Sequence, residues 1–204
     1  MRSIPIFIIS MATIFLVFPF LLYFGEFKYG DDFNLALSVQ QLGISGATKN
    51  WLEVYGAVYR PLGVFLLFVN YSIANAFSIS AGYFVQFFTI IVIFALLQRI
   101  LTRCGFSAST ASLCTLVAML FPLNASAYFQ LSSLPMMFAI LFWLVSILAL
   151  MTHAKKLAWS YSSSAIFFAM SVLSYEQILP LVIVNLVVVV TSVQDFTLRF
   201  NRYS

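Results

Sequence analysis

The sequence predicts an all-α fold, a polytopic transmembrane helical bundle with six or seven membrane segments and a juxtamembrane first outer loop. Two observations predict it. Of the 204 residues, 63% are hydrophobic and only 8% are charged, and the mean hydropathy is +1.03. Soluble domains carry about 25% charged residues, so one aqueous core cannot hide this much apolar surface. The second observation is where the cations fall. Ten Lys/Arg against six Asp/Glu give a net charge of +4, and most of the basic residues sit in short breaks between apolar runs. That placement signals anchoring on the cytoplasmic side of a bilayer. No basic surface interleaved with aromatics exists, which excludes nucleic acid as a partner.

Taken in order, Arg2 precedes "IPIFIISMATIFLVFPFLLYF", residues 4–24, long enough to cross a hydrocarbon core of about 30 Å. No small-residue cleavage site follows it, so residues 1–24 read as an uncleaved signal anchor with the N-terminus in the cytoplasm. Residues 25–60 form the long polar segment, a first outer loop holding Glu26, Asp31, Asp32 and Glu53. Within it "DFNLALSVQQL" predicts a short amphipathic helix at the interface, with Asp32 as its N-cap. Trp51, Tyr55 and Tyr59 suit the headgroup level.

Residues 61–204 read as the helical bundle of a single domain, with apolar runs near 61–78, 81–98, 107–127, 131–151, 158–175 and 178–194. Arg99 and Arg103, then Lys155 and Lys156, then Arg199 and Arg202 occupy alternate breaks, so these three breaks share the cytoplasmic face and the C-terminus lies inside. Run 61–78 contains Pro61, Asn70, Ser72 and Asn75 and makes a poor spanning helix. As a juxtamembrane or re-entrant element it leaves six full crossings and an outward acidic loop; as a crossing it makes seven and turns that loop inward.

Candidate chemistry gathers at the outer face. Asp31 and Asp32 in "YGDDFN" are paired carboxylates beside a bilayer, suited to act as a general base or to hold a divalent cation against a phosphate. Both have an ordinary alternative as a wet loop past a helix end. Arg60 in "YRPLG" suits bidentate phosphate binding, or interfacial snorkelling. Glu176 lies in "LSYEQILPL" between two apolar runs, where "SYEQ" predicts the apex of a tight helical hairpin; it is a candidate site residue or a plain helix cap. Tyr175, Gln177 and Glu53 complete the candidates for substrate binding. One histidine, His153, cannot build a triad or a metal site, and Cys104 and Cys114 are too few for a disulfide framework. No phosphate-binding Gly-rich loop, CxxC or HExxH occurs, which argues against a nucleotide-driven pump and a zinc protease. Asn70-Tyr71-Ser72 and Asn124-Ala125-Ser126 match the glycan acceptor pattern but lie within or against membrane segments.

The order of "YGDDFN", "YRPLGVFLLFVN", "FPLNASAYFQLSS" and "LSYEQILPL" resembles the GT-C superfamily of membrane glycosyltransferases, closest to the bacterial GtrII-type glucosyl transferases that modify O-antigen. The resemblance implies a multi-pass protein of the bacterial inner (plasma) membrane, moving a sugar from a polyprenyl-phosphate carrier to an extracytoplasmic acceptor. It implies that Asp31 and Asp32 serve as catalytic base or metal ligands. Family members are usually at least twice this length, which implies a truncated or split member here. "DDFNLAL" also lacks the Arg often found just after the acidic pair. Two other readings stay open: a transporter or flippase of lipid-linked sugar, whose polar site would be Asn70 to Asn75 deep in a helix, and a non-catalytic fragment or partner subunit.

Overall fold

The computed structural model describes residues 31–54, 60–120, 131–152 and 157–190. The anchor expected over residues 1–24, Tyr55, Tyr59, the 124–126 motif, His153 with Lys155 and Lys156, and the C-terminal tail lie outside them. All regular structure among the described residues is helical.

Helix α1, Asp31–Val54, extends the amphipathic helix expected from Asp32 well beyond Leu42. It is broken at Gly43, whose φ of 68° and ψ of 175° suit a residue without a Cβ. The second half is held by Ala47, buried to 1%, and by the edge of Trp51 against Phe68. Helix α2, Pro61–Ala76, starts where proline forces it to start. The Pro61 ring keeps Arg60 out of the helical conformation (φ −128°, ψ 53°), while the Val64 N–H already reaches the Arg60 carbonyl at 2.9 Å.

Helix α3, Ile79–Arg103, is capped by the Ser78 hydroxyl, which accepts from the Ala81 N–H, and it gives way to Gly105 at φ 93°. Helix α4, Ala108–Leu120, follows, with the Thr110 N–H donating to the Ser107 hydroxyl. One 3-10 turn, Leu131–Ser133, leads into α5, Leu134–Thr152. Helix α6 is Leu157–Ser174. Helix α7, Glu176–Val190, begins as a 3-10 stretch over Glu176–Leu181. The runs at 61–78, 81–98, 107–127, 131–151, 158–175 and 178–194 therefore each correspond to a helix.

The contacts fix how the helices run. Helices α5 and α6 are antiparallel: Ser160 donates to the Ala149 carbonyl, Ser164 meets Ser146, and Ser171 donates to the Ala139 carbonyl. Helices α3 and α5 are parallel, because Gly82 faces Leu131 while Ile100 clusters with Leu144 and Ile147. Helix α2 crosses neither way. Its first turn lies against Pro135 and Ser174, and its last turns, through Asn70 and Ala74, lie against Gly82. These are the same ends of α3, α5 and α6, so α2 lies across one end of the bundle. Helix α1 packs on it, with Leu35, Ala36 and Val39 joining Val64, Leu67 and Phe68 in one core. Run 61–78 thus forms a layer across one end of the bundle.

The bundle mixes polar with apolar side chains inside and presents large apolar side chains outside. Ser112, Thr115, Ser146, Ser160, Ser164, Ser171 and Asn185 are buried, while Phe84, Phe88, Leu113, Val117, Ile166, Ile183, Leu186 and Val190 are exposed. Two helices, Ala81–Arg103 and Leu131–Met151, are long and apolar enough to cross a membrane. Pro61–Ala76, Ala108–Ala118 and Glu176–Val190 are apolar but shorter. Of the helices expected to cross, two among the described residues meet the length by themselves.

Candidate functional site

The site is the meeting point of two chain turns. Pro61 opens α2 and leaves Arg60 outside the helix, at its N-cap. At the opposite partner, α6 stops at Ser174, Tyr175 is extended (φ −160°, ψ 107°), and Glu176 begins the 3-10 stretch. The apex predicted for "SYEQ" is therefore present, with Pro180 inside the 3-10 stretch rather than opening an α-helix.

Arg60 and Glu176 are separated by 116 positions and form a two-pronged ion pair. Nε donates to Oε2 at 2.5 Å and Nη2 donates to Oε1 at 2.7 Å. The guanidinium carbon also stands 3.9 Å from the centre of the Tyr175 ring. Planar fork geometry suits a guanidinium to this triple task, which a lysine ammonium cannot copy. The pair lies at a helix start and a hairpin apex, outside the two long apolar helices. Its hydrogen bonds to Arg60 hold the Glu176 carboxyl below the usual glutamate value, against the opposing effect of partial burial. The Arg60 guanidinium is pushed above its ordinary value, first by its hydrogen bond to Glu176, with burial working the other way.

Close approach of the backbones makes this pairing. A Cβ on Gly63 would collide with the Ser174 carbonyl oxygen and come within 2.9 Å of the Pro135 Cβ. Only a glycine lets the first turn of α2 settle onto the end of α6. The sequence reading passed over Gly63, because a glycine in an apolar run looks like a weak point rather than a contact.

The other candidates are scattered. Gln177 is exposed. Glu53 is exposed and pairs with Lys49 at 3.8 Å, one turn away on α1, beside an apolar groove of about 610 Å³ that Ile44, Leu52 and Phe65 help to line. Asp31 and Asp32 open α1, which shares the α2 layer, but their side chains lie outside the described residues, and so does any cation they hold. Among the described residues, no group of three or more His, Cys, Asp or Glu gathers to bind a metal.

The polar interruption from Asn70 to Asn75 lies within α2, the helix across the bundle end. Asn75 donates to the Ala36 carbonyl at 3.2 Å and ties α2 to α1. Asn70 is 1% exposed, and neither its amide nitrogen nor its oxygen has a hydrogen-bond partner. Within the bundle proper some polar groups bond to each other, whereas Gln86 Oε1, buried on α3, has no hydrogen-bond partner. Trp143 Nε1 donates to Asn185 Oδ1 at 3.0 Å, and Asn185 Nδ2 donates to the Ser146 hydroxyl at 2.8 Å. Comparisons with protein-family models, with curated proteins and with solved structures each returned no match.

Proposed function

We propose that this chain is an integral membrane protein of the glycosyltransferase kind, moving a sugar from a polyprenyl-phosphate carrier to an extracytoplasmic acceptor. The observation that carries the reading is the Arg60–Glu176–Tyr175 cluster at the end of an apolar bundle, beside the α1–α2 layer. The large apolar side chains exposed on α3, α4, α6 and α7 support lipid as the solvent of the bundle. A membrane enzyme acting on a lipid-linked phosphate needs a fixed cation at the bundle's rim, next to both lipid and water. Arg60 meets that need: Glu176 takes two of its five N–H groups, and the others suit phosphate oxygens.

The chemistry follows from these parts. An acceptor hydroxyl oxygen attacks the anomeric carbon, and the bond from that carbon to the phosphate oxygen breaks. The polyprenyl phosphate departs with its negative charge held by Arg60, and Asp31 or Asp32 takes the acceptor proton. Direct displacement inverts the anomeric centre. Tyr175 and Gln177 bind sugar hydroxyls, as does Glu53 at the groove. Glu176, expected from sequence to share that task, instead orients the guanidinium. The positive-inside pattern supports placing this end of the bundle outside the inner membrane and the Arg99–Arg103 end in the cytoplasm.

A flippase needs an accommodating polar site near the midplane. Within the described bundle Trp143, Asn185, Ser146 and Ser164 bond to one another, and the fixed cation Arg60 stands at the bundle's end rather than within it, which favours the enzyme. The deciding experiment uses proteoliposomes charged with radiolabelled polyprenyl-phosphate sugar and a saccharide acceptor. An enzyme yields a labelled glycoside that D31N/D32N abolishes without reducing membrane insertion. Movement of intact carrier with no new glycoside establishes the flippase, and neither activity leaves a non-catalytic subunit.

A further inference from the structure

We infer that Gly63 is a positioning residue for the Arg60–Glu176 centre: its contact with the Ser174 carbonyl sets the distance at which the guanidinium meets the carboxylate. The inference deepens the proposed function by adding the element that presents Arg60 to a phosphate. Gly63 lies three residues after Arg60, and Ser174 lies two residues before Glu176. The tightest approach found at a described glycine is therefore within one turn of both ends of the ion pair. On the other side, Pro135 at the start of α5 stands 2.9 Å from where a Cβ would be. Neither obstacle is a flexible side-chain end: one is backbone, the other a proline ring.

An added methyl therefore moves α2 as a body, by roughly an ångström, to regain ordinary van der Waals separation. Two parallel N–H···O bonds between planar groups do not survive such a displacement unchanged, since hydrogen bonds weaken steeply with distance and angle. The Tyr175 ring, fixed to the α6 side, is left behind by the same movement. A loss at Gly63 should then pass through Arg60 and vanish once Arg60 is gone. A purely structural glycine would instead add its loss to that of any other variant.

Two cycles on the full chain in detergent test this. In the first, thermal unfolding midpoints are read for R60A, E176A and the double variant, in the native and the G63A backgrounds. In the native background each single change lowers the midpoint and the double lowers it no further than the larger single. In the G63A background that non-additivity disappears. Its persistence overturns the inference, since the fork would then have survived the methyl. In the second cycle the probe is farnesyl phosphate, titrated against native protein, G63A, R60A and G63A/R60A. G63A and R60A each weaken binding about tenfold, and the pair loses no more than R60A alone. An independent further loss in the pair overturns the inference. Native binding by R60A removes the phosphate role from the proposed function and leaves the unfolding cycle to decide Gly63 by itself. If G63A is not recovered folded, P135G takes its place; it unpacks the other wall without adding an atom and should weaken farnesyl phosphate binding several-fold, whereas unchanged binding counts against the inference.

Discussion

Arg60 and Glu176 carry opposite charge signs at positions that no local motif connects. Their pairing adds stability above the ordinary glutamate value, because the folded carboxyl titrates below it. Protonation removes that contribution as pH falls through the depressed value. The raised Arg60 value acts only far above neutrality, where a guanidinium stays charged in any case. E176Q should therefore remove the acid-side fall in the unfolding midpoint below about pH 4.5 and leave the slope near neutral pH unchanged. A pH titration of both proteins by near-ultraviolet circular dichroism reads the difference. Because the Glu176 side chain is 38% exposed, the pair is worth about 1 kcal/mol rather than the several of a fully buried one. Asn70 offers the reverse case. Its amide is buried with neither end bonded, so Asn70→Leu should raise stability by about 1 kcal/mol, measured by denaturant titration in detergent. The sequence singled out Arg60, Tyr175 and Glu176 by residue type and by their place at run ends. It did not reveal that they touch, because a separation of 116 residues carries no distance. Gly63 was missed for the related reason that close approach is a property of two segments.

At the scale of elements, the α5–α6–α7 group is joined by hydrogen-bonded hydroxyls as well as by apolar side chains. Ser146 meets Ser164 at 2.8 Å and also accepts from Asn185, which in turn accepts from Trp143. Small polar residues let helix backbones approach and leave no donor stranded in an apolar medium. N185A strands the Trp143 N–H, and its expected cost is about 1–3 kcal/mol in an SDS-unfolding titration, against less than about 1 kcal/mol for S163A, whose hydroxyl bonds only to its own helix. Helix positions were legible from apolar run length: the run near 81–98 became Ile79–Arg103 and that near 131–151 became Leu134–Thr152. The serine seam was not, because "WSYSSSAIFF" reads as a polar dilution of a span until its partners on α5 are known. Nor did periodicity reveal that α1 continues past Gly43, since a break with positive φ leaves no trace in hydropathy.

For the whole molecule, the bundle has two distinguishable ends. One carries Arg60, Tyr175, Glu176 and the α1–α2 layer; the other carries Arg99 and Arg103 with the exposed Cys104 at the end of α3. With Cys114 replaced by Ser, a membrane-impermeant maleimide applied to intact cells should spare Cys104 and label a Q177C variant made in a C104S background. Labelling of Cys104 in intact cells reverses the proposed orientation. Composition made the helical class legible at once. That α2 covers the end of the bundle needed the contacts of Gly63 and Gly82, which show both its ends at one rim.

Because α2 starts and finishes at the same rim, it does not change the parity of the chain. Reporter domains fused after Val54 and after Ser78 should therefore report the same compartment, although an apolar stretch separates them. The acid-bearing start of α1 and the apex at Glu176 are then kept together however the molecule is inserted, since inverting it carries both across.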